Sequence, residues 1–275
     1  MNPTFIRLIS EALNIAKHQI QNTVKLLEEG ATVPFISRYR KEATGSLDEV
    51  QITEIQQELK KLKEIEKRRE TILKAIEEQG KLTDELRKRI ESTWNSTELE
   101  DIYLPYKQKR KTRATKAKEL GLEPLAQVIF MQKNSDVEGL ANQFLTKDVV
   151  SVEDALQGAR DIIAEWVNED EKARNKVRQS FRREAAVSSK VARNKEEEGA
   201  KYRDYFEYSE SLKNCPSHRF LAIMRGESEG FLRVNIAPDE DRTLEKLDYI
   251  FLKGDNAATD QVADAISDSY KRLLA

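Results

Sequence analysis

Residues 30–45 read GATVPFISRYRKEATG, and this stretch decides the fold because it joins two helical regions of the chain. Gly30 suits the left-handed backbone position that follows a helix, where a side chain would clash, so the preceding helix is predicted to end there. Pro34 lacks an amide hydrogen and fits the first turn of a new helix. Gly45 is predicted to end that second, short helix.

The short helix between Pro34 and Gly45 is predicted to be amphipathic. The residues expected to be buried on its apolar side are Pro34, Phe35, Ile36 and Tyr39. Arg38 is expected to reach a carboxylate or carbonyl across the joint, and Glu42 lies four residues further on, at the spacing of one helical turn; phosphate binding by Arg38 is the alternative. Arg40 and Lys41 fall on the polar side and are candidate phosphate contacts.

A long helix is predicted immediately after the joint. Ser46 and Glu49 form a capping-box pattern, and apolar residues then recur at helical spacing as far as Gln79, with Gly80 in the position after the helix. Such a helix is about 50 Å long. Opposite charges alternate along its polar side, which is typical of a solvated scaffold helix; a coiled-coil partner site is the alternative.

Composition bounds the fold class and the kind of function. Charged residues make up 35% of the 275 residues, while Gly and Pro number only 10 and 6. This balance predicts an all-α fold, a multihelical scaffold with at most a minor β element. The formal net charge of −2 excludes a uniformly cationic nucleic-acid binder and leaves only local patches. The single cysteine and the lack of an apolar leader predict a cytoplasmic protein with no membrane partner.

The most basic part of the chain lies at residues 107–118, which we call the basic segment. Its seven cations have no acid among them, and Tyr103 and Tyr106 come just before it. This composition suits phosphate contact with base stacking nearby. A solvated or protein-facing basic loop is the alternative. The candidate nucleic-acid contacts in the segment are Lys107, Lys109, Arg110, Lys111, Arg113, Lys116 and Lys118.

Shorter helices are predicted between residues 117 and 195. Four of them on tight loops fit a helix-turn-helix-like subdomain, and the last, Lys172 to Arg183, carries a row of basic side chains suited to a recognition helix. Acidic residues at 165–171 come directly before that helix, so a solvated amphipathic helix is the alternative.

The rest of the chain is predicted to return to the scaffold. Residues 196–210 are acidic and rich in tyrosine, and their packing against the basic segment is the main structural alternative to nucleic-acid binding. Alternation predicts short strands at Ala186–Ala192 and Phe231–Ile236, and a helix is expected at Pro216–Met224. The predicted domains are 1–116, 117–195 and 196–275.

Four blocks of this sequence resemble, in family order, those of the Tex family of bacterial transcription accessory proteins. The blocks are TVPFISRYRKEATGSL at 32–47, LEDIYLPYK at 99–107, EGAKYRDYF at 198–206, and SHR at 217–219 with RGE at 225–227. The resemblance implies a helix-turn-helix-like insertion and a role in binding or positioning nucleic acid, RNA or DNA, near the transcription machinery. Family members are much longer and continue into an RNase H-like domain, helix-hairpin-helix motifs and an S1 RNA-binding domain.

Sequence patterns for catalysis are sparse. Neither His18 nor His218 has the spacing of a metal ligand, and Cys215 lies three residues from His218 without a third group to complete a triad. No phosphate-cradling or nucleophile-elbow motif occurs. We therefore expect a binding protein that is not an enzyme and needs no cofactor. The alternatives are a protein-interaction module that does not contact nucleic acid and, third, a hydrolase.

Overall fold

The computed structural model describes residues 2–107, 111–133 and 135–275. The chain forms two compact units, the N-terminal unit (Met1–Lys107) and the C-terminal unit (Gln108–Ala275). Most of the described residues are helical and their strands form a single three-stranded sheet, so the predicted all-α class with a minor β element is confirmed. No helix within these ranges combines the length and the apolar character needed to cross a membrane.

The N-terminal unit is built around one long helix. Its helices are α1 (Pro3–Leu13), α2 (Lys17–Glu28), α3 (Val33–Tyr39), α4 (Lys41–Thr44), α5 (Glu49–Glu78), α6 (Asp84–Ser92) and α7 (Ser96–Tyr103), with a 3-10 turn at Leu104–Tyr106. Helix α5 has 30 residues, as the apolar periodicity predicted. Helices α1, α2 and α3 share a buried cluster with its first half, and α6 and α7 share another with its second half.

Helix ends in this unit follow local signals, with one exception. Gly30, Gly45 and Gly80 have positive φ angles of 88°, 66° and 66°, which confirms their predicted positions after helices. The predicted capping box at Ser46 is wrong. Ser46 has a positive φ of 64°, whereas a capping residue needs an extended backbone, and Asp48 caps α5 together with the side chain of Gln51.

The C-terminal unit is centred on a buried helix. Its helices are α8 (Arg113–Glu119), α9 (Glu123–Met131), α10 (Val137–Asn142), α11 (Val152–Glu169), α12 (Glu171–Glu184), α13 (Ser217–Ser228), α14 (Glu240–Phe251) and α15 (Ala257–Ser269), with a 3-10 helix at Ala200–Tyr205 and a π turn at Tyr270–Leu274. Helix α11 packs against α8, α9, α10, α12 and α15. The core therefore draws on residues from both 117–195 and 196–275.

The sheet of this unit is antiparallel, in the order β2-β1-β3. Its strands are β1 (Ala186–Val191), β2 (Glu207–Ser211) and β3 (Leu232–Ala237). Strands β1 and β3 and helix α13 lie close to where the sequence predicted them. Strand β2 was not predicted, because its sequence EYSES lacks an apolar alternation and its extended form depends on pairing with β1. Helix α13 packs on β3.

Candidate nucleic-acid interface

The joint at residues 30–45 forms two short helices, where one was predicted. Arg40 lies between α3 and α4 with φ −131° and ψ 29°, which are not helical values. Arg38 and Glu42 are therefore not one turn apart on a continuous helix. The expected contact of Arg38 with a carboxylate does not form among the described residues.

Helix α3 buries a different side from the one predicted. Ile36 is 0% exposed and Ser37 is buried, whereas Phe35 and Tyr39 are 41% and 65% exposed. Burial is thus confirmed for Ile36 and wrong for Pro34, Phe35 and Tyr39. A helix of two turns packs on α5 through a narrow stripe, and this stripe runs along positions 36 and 37, so the rings one turn apart at 35 and 39 lie outside it.

The outer side of the joint brings aromatic rings and cations together. The ring centroids of Phe35 and Tyr39 are 5.4 Å apart, and the guanidinium carbon of Arg40 lies 5.4 Å from the Phe35 centroid, a cation–π contact. We call Phe35, Arg38, Tyr39, Arg40 and Lys41 the signature surface. Its three cations are exposed and form no ion pair with a described carboxylate. The sequence signal for this surface was the close alternation of aromatic and basic residues.

Side chains of α2 hold the backbone at residues 43–45, directly after the signature surface in the chain. Gln19 Nε2 donates to the carbonyls of Thr44 at 3.0 Å and Gly45 at 3.1 Å, and Asn22 Nδ2 donates to the carbonyl of Ala43 at 2.7 Å. These bonds satisfy carbonyl groups that the end of a helix leaves free. The chain is therefore anchored to α2 just after the exposed aromatic and basic side chains.

The seven basic residues predicted to contact nucleic acid in the basic segment differ from one another in exposure and in ion pairing. Lys109 and Arg110 lie outside the described residues. Lys118 is half-buried, and its Nζ lies 3.3 Å from Oε1 of Glu123, so its charge is already neutralised within the fold. The described cations of the segment that are exposed and form no ion pair with a described carboxylate are Lys107, Lys111, Arg113 and Lys116.

Arg113 is less suited to phosphate contact than its neighbours in the basic segment, because it borders an acidic cleft. The cleft has a volume of about 720 Å³, and its acidic lining residues are Glu153, Asp161, Asp264 and Asp268. Burial raises the pKa of Asp161, while the charges of Arg272 and Arg113 oppose that rise. The Arg113 guanidinium therefore interacts with the Asp161 carboxylate in this cleft, which leaves it less available to a phosphate.

The acidic stretch 196–210 is occupied by its own neighbours. In β2, Glu210 accepts a hydrogen bond from Arg219 Nη1 at 2.8 Å, and the same Nη1 lies 3.1 Å from Tyr208 Oη. Lys195 Nζ lies 2.6 Å from Glu198 Oε2. Among the described residues, no carboxylate of this stretch forms an ion pair with the basic segment. Ion pairing of the acidic stretch with the basic segment, which was the structural alternative to nucleic-acid binding, is therefore not seen among the described residues.

Cys215 lies near Glu210 and Arg219, and its surroundings do not favour a nucleophilic thiolate. Partial burial and the nearby Glu210 carboxylate raise the pKa of the Cys215 thiol. A raised pKa keeps the sulfur protonated at neutral pH, whereas a reactive cysteine needs the thiolate.

The predicted recognition helix corresponds to α12. The chain turns between α11 and α12 at the single residue Asp170, whose carboxylate accepts the amide hydrogen of Ala173 at 2.9 Å. Helix α12 packs against α11 and α14, and Lys246 of α14 pairs with Glu184 at 2.6 Å. The helix-turn-helix interpretation stays a prediction.

Two sequence families match the chain and together cover most of it. Residues 3–77 match the family described as Tex-like protein N-terminal domain, and residues 132–268 match the one described as Tex central region-like.

Individual relatives agree with these matches. Transcriptional accessory protein Tex of Neisseria gonorrhoeae is 44% identical over 245 residues, 88% of this chain and 32% of the relative. Protein YhgF of Escherichia coli (strain K12) is 47% identical over 241 residues, 87% of this chain and 31% of the relative. S1 RNA-binding domain-containing protein 1 of Homo sapiens is 30% identical over 248 residues, 86% of this chain and 24% of the relative. The chain thus spans about a third of the length of the bacterial relatives.

Proposed function

Because this chain belongs to the Tex family, we propose that it is a non-catalytic cytoplasmic scaffold that binds single-stranded nucleic acid and positions it near the transcription machinery. The observation that carries the proposal is the signature surface, where exposed rings and unpaired cations meet. Two relatives, one named a transcriptional accessory protein and the other an S1 RNA-binding domain-containing protein, support the proposed nucleic-acid role.

The chemistry of the signature surface suits single strands. Unpaired bases stack on aromatic side chains, and the phosphates beside them need nearby cations. Phe35 and Tyr39 offer two rings one helical turn apart, and Arg40 and Lys41 add charge next to them. A duplex hides the faces of its bases, so this surface favours single strands over duplexes.

A purely structural role of the joint explains its buried and hydrogen-bonded residues but not its exposed aromatic rings. Ile36 is packed in the core, and Thr44 and Gly45 are held by hydrogen bonds from α2. None of these needs the half-exposed ring of Phe35 or the more exposed ring of Tyr39. Ligand binding accounts for the part that packing leaves unexplained.

Removing both rings tests the stacking contribution. Replacing Phe35 and Tyr39 together by alanine is expected to weaken binding of a fluorescent single-stranded RNA of about 12 nucleotides by roughly 30-fold or more, since each base stacked on a ring contributes about 1 to 3 kcal/mol and two rings are removed. Fluorescence anisotropy at fixed salt measures the affinity. Tyr249→Ala is the matched control, because that ring is 91% exposed and should leave affinity unchanged.

The two ways in which this experiment can fail are distinct. Wild-type affinity in the Phe35→Ala/Tyr39→Ala variant would show that the signature surface does not contact the RNA. No measurable binding of RNA or single-stranded DNA by the wild-type chain would reject nucleic-acid binding altogether.

The basic segment is proposed as a second source of phosphate contacts. If about 4 of its cations meet phosphates, log K plotted against log salt has a slope near −3 on single strands, because each contact releases counterions. The triple variant Lys109→Ala/Arg110→Ala/Lys111→Ala should flatten that slope by about 2 units. Lys118→Ala is the control, since Lys118 is already paired with Glu123 and should leave the slope unchanged. A triple variant with wild-type slope and affinity would exclude the segment from binding.

A further inference from the structure

A groove between α2 and α5 has a chemistry different from that of the signature surface. Its volume is about 420 Å³, and Leu27 of α2 and Leu59 of α5 contribute aliphatic surface to it. Lys60, Lys63 and Lys67 also line it, spaced by three and four residues along α5. At that spacing their side chains lie on one side of the helix, so a row of cations follows an apolar surface.

Two of these three lysines form no ion pair with a described carboxylate. Lys63 Nζ lies 3.0 Å from Oε1 of Glu28, and that ion pair connects α5 to α2. Lys60 and Lys67 are exposed and form no ion pair with a described carboxylate. Of the two acids that line the groove, Glu28 is used by Lys63, which leaves only Glu64. The groove therefore presents surplus positive charge beside an apolar surface.

A second cavity of about 310 Å³ lies next to the groove, between α1, α2 and α5. Leu59, Lys63 and Glu28 line both cavities, and Phe5 and Ile6 add apolar surface in the second one. Along α5 the first cavity alone covers residues 56–67, about 16 Å or three helical turns. This length matches a short helix lying along α5.

We propose that this groove binds an acidic amphipathic helix of a partner protein. Apolar side chains at helical spacing would enter the cavities, and carboxylates would meet Lys60 and Lys67 at the rim. A nucleic acid fits less well, because the apolar residues of the groove are aliphatic and cannot stack bases as aromatic rings do. The groove and the signature surface thus select different ligands.

Selection from a phage library of random peptides about 16 residues long, with the full chain as target, tests this proposal. The enriched peptides are expected to carry apolar residues at positions three and four apart, flanked by Asp or Glu. The double variant Lys60→Glu/Lys67→Glu should weaken their binding by about tenfold, as measured by fluorescence anisotropy of the synthetic peptides. The matched control Lys74→Glu/Lys81→Glu reverses two exposed charges that do not line the groove and should leave peptide affinity unchanged.

Several results would overturn the proposal. Failure to enrich any peptide would do so, as would enrichment of peptides without acidic residues. Equal binding of the enriched peptides to wild type and to the Lys60→Glu/Lys67→Glu variant would show that they bind elsewhere. Loss of oligonucleotide binding with unchanged peptide binding in that variant would assign the groove to nucleic acid.

Discussion

Replacing Ile36 by alanine is expected to lower the free energy of unfolding of the N-terminal unit by about 4 kcal/mol, because the side chain is fully buried between α3 and α5 and its loss leaves a cavity. Replacing the neighbouring Phe35 by alanine is expected to cost only about 1 kcal/mol. The larger residue contributes less because its side chain is 41% exposed and loses less apolar burial when it is removed.

Tryptophan fluorescence during urea unfolding measures both costs. Of the two tryptophans in the chain, Trp94 packs against the apolar clusters around α5, while Trp166 lies in the C-terminal unit. A Trp166→Phe background therefore makes the signal report on the N-terminal unit alone. Equal costs for Ile36→Ala and Phe35→Ala would show that Phe35 belongs to the core and would weaken the case for the signature surface.

Replacing Gly226 by valine is expected to destabilise the sheet and helix α13 by about 3 kcal/mol. A Cβ atom at this position would lie 2.6 Å from Leu232 Cδ1 and 3.3 Å from the ring of Tyr202. Both neighbours are buried, so a shift of either side chain disturbs the packing around it. The close approach joins two of the sequence blocks, since Gly226 belongs to RGE and Tyr202 to EGAKYRDYF, which explains why this helix carries a glycine in its interior.

Hydrogen exchange of the strand amides at 186–191 and 232–237 measures the effect of Gly226→Val. Protection is expected to fall roughly 100-fold, the equivalent of about 3 kcal/mol. Gly230→Ala serves as the control: with φ at 78° and no atom within 4 Å of an added Cβ, it should cost only about 1 kcal/mol of backbone strain.

Adding Leu232→Ala should recover part of the loss caused by Gly226→Val, because it removes the atom that the valine would strike. Strictly additive costs in that double variant would mean that the predicted clash does not occur.

Sequence patterns predicted the function, and the exposure of side chains in the structure changed which residues we propose for it. The four blocks indicated the family correctly, and Arg40 and Lys41 were already candidate contacts. Phe35 and Tyr39 were assigned to the core, because an aromatic residue at helical spacing is buried more often than not. Their exposure makes them the most informative residues to test.

The sequence by itself determined features that depend on neighbouring residues, such as helix ends and the repeat of apolar residues along one helix. Glycines at 30, 45 and 80 end helices because only glycine adopts their backbone angles without strain, and the apolar period of α5 holds over 30 residues. The tertiary structure alone decided the inward side of α3 and the existence of β2. Each depends on a distant partner: a two-turn helix has no unique apolar stripe until α5 packs on it, and a polar strand extends only when β1 pairs with it.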